Sequence, residues 1–417
     1  MKKTITAFLL VVVLTVAALP QPSQAQQTEA ERRFQDIDIP SLPYYSFGRG
    51  LGLTTPDSTY QVNIRFRMQN RATYISYSHQ DSAVEAMVRR LRLRFDGFVG
   101  DPRFLYAIQL SFAPGDVGVL EEGENLNVIR DAVFFYRPDR HWSIGFGQTK
   151  LPGNRQRVNS SGALQLTDRS INNAAFTIDR DYGLFVNYGR EDLNRFSYNL
   201  RTAVSTGDGR NYTRSPDTDL AYTGRLELMP LGAFRNNGTQ FEGDLAREQS
   251  PKLLLAGTLH HNVGARRTQG QLGSATFGKR DLTVIHLDAM LKYQGWALMG
   301  AWMSRQTDNP VVLLPEADPG AEQRTAYFLK GTGFDVQASY LFPSDFELIG
   351  RYSKQTPERE VRRAFRPREQ FSGGITRYVW EHALKLQLEL THDRFPATGF
   401  ADARDSWYLR FQVEIGI

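Results

Sequence analysis

Apolar and polar residues alternate along this chain in runs about as long as a bilayer is thick, and that period of two limits the possible folds more than any other feature. In Trp407-Tyr-Leu-Arg-Phe-Gln-Val-Glu-Ile-Gly-Ile417, the residues Trp407, Leu409, Phe411, Val413, Ile415 and Ile417 alternate with Tyr408, Arg410, Gln412 and Glu414. Successive side chains of a strand point to opposite faces, so this segment meets two different solvents. One such strand fits any half-buried sheet. Repetition along the whole chain at transmembrane length instead predicts an all-β fold, a transmembrane antiparallel β-barrel. Closure is required because an open sheet edge in hydrocarbon leaves backbone groups without partners.

Alternating runs bounded by turn residues predict sixteen strands, at about 60–75, 88–99, 103–113, 128–137, 141–149, 180–189, 194–204 and 220–228, then 251–262, 281–292, 295–304, 332–342, 345–355, 366–378, 383–392 and 405–417. Gaps after even-numbered strands are mostly tight turns, such as Gly100-Asp101-Pro102, Pro138-Asp139-Arg140, Gln294-Gly295 and Pro343-Ser344-Asp345. Gaps after odd-numbered strands are long and polar, the asymmetry of outer-membrane barrels with short periplasmic turns and long outer loops. The stretch from Met229 to Ser250 breaks the rule, being long where a periplasmic turn belongs. It is either a further hairpin or an ordered insertion, and an even strand number survives both.

The faces of several strands are explicit. Leu91, Leu93 and Phe95 alternate with Arg90, Arg92, Arg94 and Asp96; Val62, Ile64, Phe66 and Met68 alternate with Asn63, Arg65, Arg67 and Gln69; Leu384, Leu386, Leu388 and Leu390 alternate with Lys385, Gln387 and Glu389. A charge facing lipid at mid-bilayer costs about 2–4 kcal/mol, so these arginines face the lumen. Tyr60, Tyr74, Phe112, Tyr136, Trp142, Trp296, Trp302, Tyr352, Trp380 and Trp407 fall near strand ends, where aromatic girdles form.

At the N-terminus Lys2 and Lys3 precede an apolar run from Ile5 to Leu19, then Ser23-Gln24-Ala25, the order of a secretory signal peptide cleaved after Ala25. The expected organisation is a signal peptide at 1–25, a periplasmic N-terminal tail and lead-in at 26–59, and the barrel at 60–417. The chain has no cysteine, so an exported barrel of this size rests on its ladder and its packing rather than on disulfides. Its seven histidines read as solvated or interfacial, and His260-His261, neighbours on a strand, point to opposite faces and do not share one metal. No nucleophile motif singles out a serine, so an enzyme is not expected. Nothing calls for a cofactor, a metal or a nucleic acid. Arg359 to Arg368, mixed with Glu358, Glu360 and Glu369, reads as a solvated mixed-charge outer loop, with binding of anionic lipid as a weaker alternative.

An ordered series of motifs also resembles a known family. Gly50-Leu-Gly-Leu-Thr-Thr-Pro-Asp-Ser-Thr-Tyr60, Arg65-Phe-Arg-Met-Gln-Asn-Arg71, Arg89-Arg-Leu-Arg-Leu-Arg-Phe-Asp-Gly97, Arg130-Asp-Ala-Val-Phe-Phe-Tyr136, Gly147-Gln-Thr-Lys-Leu-Pro152 and Asp179-Arg-Asp-Tyr-Gly183 together look like the phosphate-selective porin O and P family. The resemblance implies a sixteen-stranded, homotrimeric porin of the bacterial outer membrane, with the third outer loop folded into the lumen as its constriction. Here that loop is Lys150 to Ile178, carrying Lys150, Arg155, Arg157, Asp168 and Arg169, with Asp179 and Arg180 adjacent.

The expected function is passive diffusion of small hydrophilic solutes, with a preference for anions such as phosphate, in contact with outer-membrane lipid. Arg65, Arg67, Arg90, Arg92 and Arg94 would form a positive ladder in the lumen, where low-dielectric walls strengthen its field. The competing reading pairs these arginines with Asp96, Asp131, Glu389 and Glu414, so that they brace the wall. A structural or adhesive barrel with a filled lumen is the alternative function.

Overall fold

The computed structural model describes residues 50–117, 127–211, 217–313 and 325–416. The signal segment 1–25 and the first part of the tail, 26–49, lie outside the described residues. Sixteen antiparallel strands form the wall. The first eight are β1 (Tyr60–Tyr77), β2 (Ala83–Val99), β3 (Asp101–Ser111), β4 (Ile129–Tyr136), β5 (Trp142–Lys150), β6 (Arg180–Arg190), β7 (Ser197–Ser205) and β8 (Ala221–Met229). The others are β9 (Lys252–Arg267), β10 (Ala275–Tyr293), β11 (Trp296–Gln306), β12 (Gly331–Leu341), β13 (Phe346–Pro357), β14 (Arg368–Trp380), β15 (Leu384–Phe395) and β16 (Arg404–Gly416). Each pairs with its neighbours in sequence, and β16 returns to β1 with Gln412 opposite Arg71 and Glu414 opposite Gln69. The barrel is therefore closed and has no free edge.

The alternation sorts side chains as the bilayer requires. Phe146, Leu184, Leu226, Leu287, Leu348, Ile375 and Leu390 are exposed on the outer face, while Gln69, Arg90, Glu227, His286, Glu347, Lys385 and Glu414 are buried on the inner one. Near the strand ends aromatic side chains pair across neighbouring strands, with ring centroids 4.9 Å apart for Trp142 and Tyr188 and 4.7 Å for Trp296 and Tyr340.

All sixteen expected strands are present, but some run further than the sequence pattern indicates. β2 begins at Ala83 rather than near 88, β9 continues to Arg267 rather than 262, and β10 begins at Ala275 rather than 281. A spanning strand needs about 9–11 residues, so the extra length projects beyond the bilayer. There both faces meet water and the alternation that marks a strand is absent. The tail and lead-in also contain a short strand, Leu51–Thr54, pairing with β1 from Leu51 opposite Ile64 to Thr54 opposite Gln61. It takes up the edge of β1 just beyond the last pair with β16, Gly416 opposite Arg67.

The long connection after β8 is an ordered insertion, not a further hairpin. It carries a short 3-10 helix, Arg235–Gln240, and buries Ala233, Phe234, Gln240, Glu242, Asp244 and Glu248. Phe234 and Ala233 pack with Met229, Leu254 and Met290 of the wall. The segment therefore turns back into the barrel.

Candidate functional site

The site is built where β1, β2 and β4 present inward side chains to the loop between β5 and β6. That loop contains two short helices, Arg155–Val158 and Ile171–Ala175, the second capped by Ser170, whose hydroxyl accepts a hydrogen bond from the Asn173 N–H. Almost every residue from Leu151 to Ile178 is shielded from solvent.

Its polar contacts reach around most of the wall. At its base Lys150 Nζ donates to the carbonyls of Val158 and Asn159 at 2.9 and 3.1 Å. Ser160 and Ser161 accept from Arg67 at 2.9 and 2.6 Å, and Ser161 also from Arg92 at 2.8 Å. Lys385 of β15 donates to the carbonyls of Gly162 and Leu164, both at 2.7 Å. Thr167 donates to Glu389 of β15 through N–H and hydroxyl, and Ser170 and Asn172 donate to Asp335 of β12. Arg305 of β11 closes the return path by donating to the carbonyls of Ala175 and Thr177.

Among the described residues, five acids and twelve bases meet on the β1–β4 side. The bases are Arg65, Arg67 and Arg71 of β1; Arg89, Arg90, Arg92 and Arg94 of β2; Arg130 of β4; and Lys150, Arg157, Arg169 and Arg180 around the loop. The acids are shared among them. Asp168 holds Arg71, Arg89 and Arg90 at 3.2, 2.8 and 2.8 Å. Asp116 holds Arg92 and Arg130 at 2.8 and 3.1 Å, and Asp96 holds Arg94 and Arg65 at 2.9 and 3.4 Å. Asp179 pairs with Arg157 and lies 3.6 Å from Arg180, which pairs with Asp131 at 3.0 Å. Counting Glu414 of β16, 3.9 Å from Arg67, as a sixth acid leaves twelve bases against six acids.

The electrostatics follow from that imbalance. Burial alone would push the Asp168 carboxyl up, but the guanidiniums of Arg90, Arg89 and Arg71 outweigh it and hold the group well below the usual carboxylate range. Burial, with Arg157, Arg90 and Arg92 nearby, lowers the Arg169 guanidinium well below its ordinary value. Among the described residues Arg169 donates to carbonyls, those of Gln156 at 2.7 Å and Asn159 at 2.9 Å.

The residues singled out from sequence are thus brought together with one exception. Arg155 points to the far side, where it pairs with Glu227 of β8 and approaches the Thr239 carbonyl at 3.4 Å. Sequence reasoning missed Arg71, Arg89, Arg130 and Asp116 as site residues. Arg71 follows from continuing the alternation Arg65, Arg67, Gln69 by one step. Arg89 does not, because a register shift between Gln69 and Asn70 of β1 lets both Arg89 and Arg90 reach Asp168. The solvated reading of the histidines fails for His260, His286 and His382, which are buried. His286 lies on the inward face beneath the loop, Nε2 3.0 Å from the Phe176 carbonyl, and His260 lies 2.9 Å from the Thr223 hydroxyl. No group of three or more metal-ligating side chains occurs among the described residues.

Comparison with known proteins gives the same architecture. The outer membrane channel DcaP of Acinetobacter baumannii superposes with a TM-score of 0.53 at 13% identity, covering 88% of this chain and 99% of its own. An anion-selective porin from Comamonas acidovorans gives 0.52 at 12% identity over 86% of this chain and 100% of its own, and OmpF of Salmonella typhi, in complex with daunomycin, 0.53 at 12% over 88% and 100%. At such identities the likeness carries the fold alone. No match is found among curated proteins. The family model for phosphate-selective porin O and P matches residues 62–361, most of the chain. The chain belongs to the phosphate-selective porin O and P family and is a porin of the bacterial outer membrane.

Proposed function

We infer that this porin passes small hydrophilic anions by diffusion, phosphate among them, with the 151–178 loop as its constriction. The observation that carries this reading is the excess, among the described residues, of twelve bases over six acids where that loop faces β1, β2 and β4. A barrel of sixteen strands is wide enough for an aqueous lumen, and a constriction lined by one sign of charge concentrates the opposite ion. Guanidinium forks suit phosphate and carboxylate oxygens. The family name and the anion-selective Comamonas porin of the same fold support this direction.

The test is the zero-current potential of the purified protein in a planar bilayer under a potassium chloride gradient, with wild type set against the double variant Arg65→Gln, Arg67→Gln. The expected result is an anion-selective potential that falls in the variant, followed by competition of phosphate with chloride. A nonselective wild type rejects the reading.

The second reading is a structural or adhesive barrel with a filled lumen. It is favoured by the buried inner face of β10–β15, and absence of conductance in the same bilayer would support it. We further propose that the chain assembles as a homotrimer in contact with outer-membrane lipid, tested by light scattering in detergent. Cleavage of residues 1–25 is tested by N-terminal sequencing of the exported protein, which should begin at Gln26.

A further inference from the structure

The connection from Met229 to Ser250 is far longer than a periplasmic turn needs, and its interior contacts are built rather than incidental. Lys292 of β10, almost fully buried, donates to three of its carbonyls: Gly238 at 2.8 Å, Phe241 at 3.1 Å and Gly243 at 2.6 Å. The buried Glu242 carboxylate accepts from Gln156 Nε2 at 3.1 Å and from the Gln165 N–H at 3.0 Å, both in the third loop, and from Gln337 of β12 at 3.1 Å. Asp244 accepts the Gly295 N–H at 2.8 Å, and Phe241 stacks on His382 at 4.7 Å. Gly243 is packed so closely that a Cβ there would lie 2.7 Å from Glu347 Oε1 and 3.0 Å from Gln165 Nε2.

These contacts fall on one side. They run from the turn before β7, where the Ala233 N–H donates to the Asp192 carbonyl, through β10, β12 and β13 to the turn before β15. On that side Lys292, Glu347 and Lys385 are 2%, 0% and 0% exposed. A cavity of about 30 Å³ between the third loop and β10–β13, flanked by Asn154, Asp288, Met299, Asp335 and Arg351, has room for about two waters. On the opposite side the side chains of Arg65, Arg67 and Arg89 retain 19%, 11% and 22% exposure, above Arg90, Arg92 and Arg94 at 3%, 8% and 7%.

We propose that the 230–250 connection is a second constriction element: it fills the lumen beneath the third loop on the β8–β15 side and so forces solutes past the arginines of β1 and β2. Glu242 makes it a strut as well as a filler, because one carboxylate fixes the loop at two points and the wall at a third. This steering role rests on the anion reading above; the narrowing role does not.

The test replaces residues 230–251, all that lies between Met229 of β8 and Lys252 of β9, by a two-residue Asn-Gly turn, which suits a hairpin. Barrel folding is checked by heat-modifiable electrophoretic mobility, and single-channel conductance and zero-current potential are then recorded. The expected result is a conductance rise of about twofold or more, since the wall itself leaves a wide lumen, together with a fall of the anion-to-cation permeability ratio toward one. If the shortened chain does not fold, Glu242→Gln and Lys292→Met loosen the same element in the full-length chain, and larger current fluctuations with weaker anion preference are expected. Unchanged conductance in a folded variant overturns the proposal, and so does a conductance rise with undiminished anion preference. A wild type without anion preference rejects the parent reading instead, and the conductance of the shortened variant still decides whether the connection narrows the pore.

Discussion

Replacing Asp168 by Asn should make the pore more anion-selective without releasing the third loop. The Asp168 carboxylate sits among Arg71, Arg89 and Arg90 at 3.2, 2.8 and 2.8 Å, the position a permeating anion would take. An anion held on the far side of one of those guanidiniums lies about 6 Å from the carboxylate. Two unit charges at that distance repel by about 0.7 kcal/mol in water and by about 2.8 kcal/mol at an effective dielectric of 20. The side chains of Asp168 and Arg89 are 23% and 22% exposed, which places the effect toward the aqueous end. A threefold to tenfold rise in the anion-to-cation permeability ratio is therefore the expected order of magnitude, at about 1.4 kcal/mol per factor of ten. The loop keeps its anchors from Lys385, Glu389, Asp335 and Arg305, so conductance should change little. The assay is the zero-current potential of Asp168→Asn beside wild type in the same salt gradient, with added phosphate as a blocker. An unchanged potential, or one moved toward cation selectivity, would refute the view that Asp168 offsets the arginine field.

Asp168 also sets an acid limit. Its folded-state pKa is depressed, so the carboxylate keeps its charge until pH falls well below the ordinary aspartate value of about 3.9; the anion-to-cation permeability ratio should stay constant from neutral pH to about 4 and rise, as in Asp168→Asn, only below it. Lys385→Met removes two carbonyl bonds to the loop and leaves the buried Glu414 with Gln69 at 2.8 Å and Arg67 at 3.9 Å. Breaking a fully buried pair in this way costs about 3–5 kcal/mol, which should appear as a lower denaturant midpoint and a noisier open state; a wild-type midpoint would refute the assignment.

The wall was legible in the sequence because the bilayer writes it there: Leu91, Leu93 and Phe95 against Arg90, Arg92, Arg94 and Asp96 admit one orientation. Where water replaces lipid the signal stops, and for that reason the outer ends of β2, β9 and β10 were read too short. The inner layer was less legible for a different reason. An inward segment and an outward loop are both rich in glycine, asparagine and charge, so composition does not distinguish the path of Lys150 to Ile178. The connection after β8 stood out by length alone, although Ala233 and Phe234, apolar and buried where a periplasmic turn should be polar, were a further hint. Asp116 was hidden because it lies outside the strands, in the short helix Pro114–Val117, and nothing local in sequence links it to Arg92 and Arg130.

The sequence left two roles open for the arginines, a ladder for anions or braces for the wall, and the shared acids are compatible with both. Among the described residues acids are fewer than bases, and most are shared: Asp168 by three arginines, Asp116, Asp96 and Asp179 by two each. Sharing gives every one of these acids a cationic neighbour, holds the arginines in place and leaves bases in excess. Arg92 separates the two contributions, because its guanidinium both bridges Asp116 to Ser161 and adds one charge. Arg92→Lys keeps the charge and loses the fork, since an ammonium cannot present the planar donor set. It should retain anion selectivity while the loop tip loosens and the melting temperature falls. Arg92→Gln removes the charge and keeps part of the hydrogen bonding, so its selectivity should fall. If both variants lose selectivity equally, the rigid placement of the guanidinium governs permeation and charge alone does not; if neither does, the arginines of β2 serve the wall, and selectivity must come from the loop.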